Sequence, residues 1–148
     1  MKAVIQKVSS AETIVDGELV SSIKKGIVIF LGIAIYDVDN DIDWLINKIT
    51  KLRIFNTFDN NINDVKGEVL LISQFTLHAN VIKGNRPSFI KAAKSELAKT
   101  MYDNFLNRLN EKLYTELKSG IFGADMLINL SNDGPVTIIY DSSLKLKK

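Results

Sequence analysis

The sequence predicts a mixed α/β domain in which a sheet-rich core carries two helices, and three features point there. Apolar runs of strand length, "AVIQKVSS", "GIVIFLGIAI", "EVLLISQFTL" and "VTIIY", are spread over the whole chain. Two longer stretches between them place apolar residues at three- and four-residue spacing, the period of a helix with one buried face. The 148 residues show no internal repeat, low-complexity tract or linker, so residues 1–148 read as a single domain large enough for a real core.

The elements follow in order. In "AVIQKVSSAE" Val4, Gln6 and Val8 share one strand face and Ile5 and Lys7 the other. "VDGEL" holds the Asp-Gly pair of a tight hairpin. "GIVIFLGIAI" is almost wholly apolar and reads as a strand buried on both faces. Asn40 or Asp41 can cap the first helix, whose stripe is Ile42, Leu45, Ile46, Ile49 and Leu52. "FNTFDNNINDVKG" is a polar loop, "EVLLISQFTL" the next buried strand and "HANVIKGNRPS" another loop. The second helix is expected over about residues 95–117, with Leu97, Met101, Phe105, Leu109 and Leu113 as its stripe. "SGIFGADMLINLSNDGPVTIIYD" closes the chain as two or three strands.

Composition removes several classes. Hydrophobic residues make up 46% and charged residues 24%, ordinary for a globular protein, and no apolar run is long enough for a spanning helix. The first ten residues lack the apolar block of a signal peptide, so a cytoplasmic protein is expected. With no cysteine there is no disulfide or thiolate metal site, and His78 is the one histidine, so a two-histidine metal site within the chain is excluded. No metal or other cofactor is expected. The net charge of +2 is too small to imply nucleic acid by itself. Its distribution says more: Lys83, Arg86, Lys91, Lys94 and Lys99 face Glu96 alone within residues 83–99, and "KLKK" adds three lysines at the end. Such a region can seat a polyanion, although a solvated surface explains it as simply.

Candidate chemical groups are few. Asp37, Asp39, Asp41 and Asp43 alternate at a helix start; they lack the glycine and terminal glutamate of a calcium loop and read as caps and dipole partners. His78 follows a strand end and is either a general base or, the simpler reading, an exposed loop residue. Ser73 and Thr76 offer hydroxyls, but no G-x-S-x-G elbow or S-x-x-K pair surrounds them. "KGNRPS" is not a phosphate loop, though Lys83 and Arg86 can serve phosphates as simple charges. The pair Gly134-Pro135 is out of place, because proline cannot donate to a sheet ladder and glycine adds no side chain to a core.

"SQFTL" at 73–77 and "NDGPVT" at 132–137 resemble the two signature motifs of the D-aminoacyl-tRNA deacylases. The likeness runs the length of the chain, through "GIVIFLGI", "DWLINKITKLRIF", "KGNRPSF" and "FGADM" in the family's order. It implies a homodimer with a barrel-like sheet that hydrolyses the ester of D-aminoacyl-tRNA without cofactor or metal, using main-chain atoms and the 2′-hydroxyl of the tRNA. It implies a catalytic element at Ser73, Gln74, Phe75 and Thr76. It also implies a chirality gate at Gly134-Pro135, joined by a cis bond and projecting into the partner's site, with Lys7, Asn132, Val136 and Thr137 as its support. Lys83, Arg86 and the tail lysines are the expected tRNA contacts.

Two positions depart from the family pattern. Lys7 stands where arginine is usual, keeping the charge but losing the planar fork. The loop "FDNNINDVK" at 58–66 is a few residues short. A gate that admits the D form must also admit glycine, so glycyl-tRNA is an expected substrate. The rival readings are an editing enzyme for a mischarged L-amino acid and a tRNA-binding module without catalysis.

Overall fold

The first strand organises everything else. In the computed structural model, which describes residues 1–145, β1 (Lys2–Val15) is flanked along its whole length. On one side its first half pairs antiparallel with β3 (Gly26–Gly32) and its second half with β2 (Glu18–Ile23). On the other side β6 (Leu127–Asp141) runs antiparallel to it from Ile14 opposite Leu127 to Lys2 opposite Asp141. Beyond β3 the sheet continues in parallel with β4 (Glu68–Ser73) and β5 (Leu117–Ser119). The result is a mixed six-stranded sheet that curls into a nearly closed, barrel-like shape.

The β1–β2 turn forms at Asp16 and Gly17, both at positive φ (51° and 81°), as the Asp-Gly pair predicts. β3 is apolar because it is buried on both faces. Ile27, Ile29 and Leu31 face the helices, and Val28 faces the inside of the curl with Val8, Ala11, Ile23, Leu70 and Ile72. Helix α1 (Asp39–Thr50) covers the outer face with Ile42, Leu45, Ile46 and Ile49, and α2 (Ser95–Asn110) with Met101, Tyr102, Phe105 and Leu109.

Three expectations need correction. The residue at the start of α1 is Val38, and Asp41 accepts from its N–H at 2.9 Å from inside the first turn, so neither Asn40 nor Asp41 is the cap itself. Helix α2 ends at Asn110, seven residues early. Leu113 lies past its end, Leu97 is exposed, and the Asn110 side chain accepts from Leu117 N–H at 3.1 Å as the chain turns into β5. Where two or three strands are expected over residues 119–141, one long strand, β6, runs there, with only Ser119 belonging to the short β5 that starts at Leu117.

The aspartate row is absorbed by structure. Asp39 and Asp43 pair with Arg108 and tie α1 to α2. Asp41 also pairs with Lys145 at 2.7 Å. Burial pushes its carboxyl up, but the Lys145 and Val38 hydrogen bonds outweigh that and hold it below its ordinary value. Asp37 takes the buried α-ammonium of Met1 on one oxygen and the Ala34 N–H at 2.7 Å on the other. Ser142 accepts from the same ammonium at 2.8 Å, which brings the start of β1 and the end of β6 together.

Candidate active site

The chain leaves the parallel ladder at Ser73 because the next residues fold back into a single 3-10 turn, Phe75–His78. Gln74 N–H still donates to Leu31 O at 2.7 Å, one step beyond the ladder, and Leu77 N–H and Ala79 N–H close the turn on Gln74 O (3.3 Å) and Thr76 O (3.0 Å). The turn lies flush on the end of β3. A Cβ on Gly32 would sit 2.9 Å from Gln74 O and 3.0 Å from Leu77 Cβ, so only glycine fits beneath it. "SQFTL" is therefore a strand end followed by a turn, not a continuous strand. Phe75 is exposed and packs edge-on against Phe89 with ring centroids 4.9 Å apart.

Ser73, Gln74 and Phe75 line one side of a cavity of about 470 Å³. Leu31, Ile33 and Ile72 form its floor, Ser95, Ala98 and Tyr102 of α2 its second wall, and Phe122–Met126 its third. Asp125 is the one formally charged residue in that lining. Tyr102 donates from its phenol to Leu71 O at 3.0 Å, and burial raises its pKa far above the ordinary tyrosine value, so the hydroxyl stays protonated.

The amides that open a helical turn have no acceptor within it. Gln74 N–H is engaged by Leu31 O, which leaves Phe75 and Thr76 N–H as the leading amides of this turn, with no backbone acceptor inside it. Thr76 Oγ1 accepts from the Gln74 carboxamide at 2.6 Å. A carboxamide cannot take a proton, so this partner orients the hydroxyl without activating it.

The second motif forms a bulge. Between Asn132, opposite Val8, and Thr137, opposite Gln6, four residues of β6 face one of β1, so Asp133–Val136 loop outward. The Asn132 carboxamide holds the loop by donating to Lys7 O at 2.8 Å and Val136 O at 3.0 Å. Thr137 Oγ1 lies 3.4 Å from Asn132 Oδ1 and accepts from Gln6 Nε2 at 3.1 Å. Lys7 Nζ is mostly buried and pairs with Asp133 at 3.3 Å. The Gly134–Pro135 bond is cis, Gly134 has φ 124°, and both residues are exposed. Neither lines the cavity of its own chain.

Lys83 and Arg86 stand exposed on the loop pinned by the Asn80–Ser88 bridge. Of the tail lysines, Lys147 and Lys148 lie outside the described residues. His78 is buried, 5% exposed, which corrects the reading of it as an exposed loop residue. Among the described residues no three His, Cys, Asp or Glu side chains come together as a metal site, and no helix is long and apolar enough to cross a membrane. Sequence reasoning missed Ser95, Ala98 and Tyr102 as cavity residues. Their three- and four-residue spacing on α2, beside the core stripe, was the available signal.

A family model described as D-Tyr-tRNA(Tyr) deacylase matches residues 4–141. A protein of Flavobacterium johnsoniae named D-aminoacyl-tRNA deacylase is 48% identical over 146 residues, 96% of this chain and 97% of the relative. A solved structure described as c-Myc DNA Unwinding Element Binding Protein superposes with a TM-score of 0.91 at 39% identity, covering 95% of this chain and 98% of the other. Another, described as a probable eukaryotic D-amino acid tRNA deacylase, gives 0.81 at 13% identity over 94% and 97%, a likeness of fold alone.

Proposed function

The chain belongs to the D-Tyr-tRNA(Tyr) deacylase family, and from that premise we propose that it hydrolyses the ester of D-aminoacyl-tRNA in the cytoplasm and spares the L form. Water adds to the ester carbonyl, the bond to the ribose oxygen breaks, and free tRNA and D-amino acid leave. The observation that carries this reading is the strand end Ser73–Gln74 and the first residue of the turn, Phe75, lining a cavity of about 470 Å³, a size suited to a small organic group. In this reading the leading amides of the turn, Phe75 and Thr76, receive the negative charge that develops on the carbonyl oxygen. An aminoacyl ester is already reactive, so this polarisation, with the adjacent 2′-hydroxyl of the tRNA, suffices without a side-chain nucleophile. Ser73 and the hydrogen-bonded pair Gln74–Thr76 orient the group. Lys83 and Arg86 meet backbone phosphates as sequence-independent charges.

Chirality needs an obstruction, because D and L substrates carry the same groups. In this reading a second copy of the chain supplies it. Asp133, Gly134 and Pro135 are exposed, the loop is fixed by Asn132 and by Val136 packing on the core, and it lies outside its own cavity, which suits a backbone wall inserted into a partner's site. Carbonyl oxygens of Gly134 and Pro135 would occupy the direction an L side chain takes. Glycine has no side chain to obstruct, so glycyl-tRNA passes.

The test is single-turnover hydrolysis of D-tyrosyl-, L-tyrosyl- and glycyl-tRNA with a chelator present. Loss of the D and glycyl esters alone supports the proposal, and equal loss of the L ester refutes the gate. The cross-subunit site has its own test. Thr76→Pro removes one amide and Gly134→Val distorts the loop, so each variant should be inactive alone. Random mixing of subunits restores about a quarter of the sites in a two-fold dimer. No restoration means that each chain builds its site alone.

A further inference from the structure

We propose that His78 is a positioning residue for the catalytic turn, holding it closed only while its imidazole is neutral. The proposal rests on the reading of Phe75 and Thr76 as carbonyl-binding amides. His78 is the last residue of that turn and the only histidine in the chain. Its ring fills the space between the turn and the end of β3, and a Cβ on Gly32 would lie 3.2 Å from His78 Cδ2. The imidazole is thus the plug on which the turn sits, two residues from Thr76.

The plug tolerates a neutral ring and rejects a charged one. Its nearest polar neighbour is the Gly32 main chain, while among the described residues Nε2 is buried with no partner. The charged groups around it are the α-ammonium of Met1 and Lys2 from β1, and Asp37 from the segment before α1. Asp37 is already committed, one oxygen to the Met1 ammonium and the other to Ala34 N–H. Lys2 Nζ lies 3.9 Å from Asp141. A proton taken from water onto Nε2 would create an N–H with no acceptor and a second cation beside a buried one. Burial is the main cause that pushes the pKa of His78 down, aided by Met1 and Lys2 and opposed by Gly32 and Asp37.

The protonated ring is relieved by leaving the plug for solvent, which pulls the turn off β3 and displaces the Phe75 and Thr76 amides. The sign follows from linkage. With the folded value below 6.5, the closed turn keeps its full stability above 6.5 and loses it as the pH falls from there toward the folded value. An inert core histidine would share the burial but not the coupling to the turn.

A chain with one histidine makes the experiment direct, since every imidazole NMR signal belongs to His78. The ring, the Phe75 and Thr76 amides and single-turnover D-tyrosyl-tRNA hydrolysis are followed together from pH 8 to pH 5. The expected result is one shared midpoint below 6.5, with the rate falling at least about tenfold across it. His78→Leu and His78→Gln should lower the rate at pH 7.5 and abolish the acid limb. Ring titration at 6.5, amides that stay fixed while the ring titrates, or the same acid limb in the variants overturns the proposal. If His78→Leu does not fold, the glutamine variant and the parent ring titration still decide. If the parent cleaves no ester at any pH, the proposed function fails, whereas the ring-to-amide coupling still tests the role of His78.

Discussion

Replacing Asn132 by alanine tests the proposed gate apart from the fold. The carboxamide donates two hydrogen bonds, at 2.8 Å to Lys7 O and 3.0 Å to Val136 O, and these close a four-residue loop over one residue of β1. A neutral hydrogen bond is worth about 0.5–1.5 kcal/mol net, so two give about 1–3 kcal/mol. Asn132 is half-buried, and water reaches part of what the deletion exposes, which trims the loss to about 1–2 kcal/mol. For a chain of this size each kcal/mol moves Tm by about 2–4 °C, so Asn132→Ala should melt about 2–8 °C lower. The effect on chirality should be larger than that modest loss. If the loop is the proposed gate, freeing it to move by an ångström unblocks the L side chain, and the D-to-L ratio of hydrolysis should fall at least tenfold, about 1.4 kcal/mol. Thermal melting and single-turnover hydrolysis of D- and L-tyrosyl-tRNA measure the two quantities on one preparation. Asn132→Asp, which keeps the shape but not the donors, should behave alike. A lower Tm with an unchanged D-to-L ratio would refute the reasoning, for the loop would then serve the sheet and not the substrate.

Four further outcomes are expected. Asp37→Asn leaves the Met1 ammonium buried without its counter-charge and should cost about 3–5 kcal/mol, read as a lower urea midpoint at unchanged slope. Gly26→Ala should prevent folding, since the new Cβ would lie 1.8 Å from Glu68 O, whereas Gly17→Ala meets no atom within 4 Å and should cost only about 1 kcal/mol for its positive φ; circular dichroism and melting distinguish them. Tyr102→Phe removes one buried hydrogen bond to Leu71 O and should cost about 1 kcal/mol in denaturant titration. Lys83→Ala with Arg86→Ala should raise KM for tRNA and flatten the salt dependence of binding, by a slope of about 1.4–1.8 for two lost phosphate contacts.

Much of the fold was legible because the signals were local. Asp16-Gly17 specifies its hairpin by backbone preference alone, and the unbroken apolar run of β3 announces burial on both faces. The misreadings share a cause in tertiary packing. Val38 begins α1 because Asp41 reaches back to it, and the turn after Asn110 is held by contacts with residues that sequence spacing does not reveal. His78 looks like a loop residue in a polar context, yet the glycine at position 32 lets the turn lie flat and buries the ring. At the site, "SQFTL" and "NDGPVT" were visible as motifs, but that Leu31 O engages the Gln74 amide followed only from the parallel register of β3 and β4.

The pairing of β1 with β6 has a consequence for synthesis. β1 leaves the ribosome before the other strands, and its partner follows about 110 residues later, so at about 5–20 residues per second one edge of β1 waits about 5–20 s for its cover. β2 and β3 can dress the other edge within moments, and until β6 arrives the nascent sheet offers a naked row of donors and acceptors to any neighbouring chain. Lys2 and Lys7 lie on that strand, and their charge is the protection it carries during the wait. Expression rate and chaperone supply should therefore govern the soluble yield of this protein more than its final stability does, and slowing translation early in the chain should hurt less than slowing it just before Leu127.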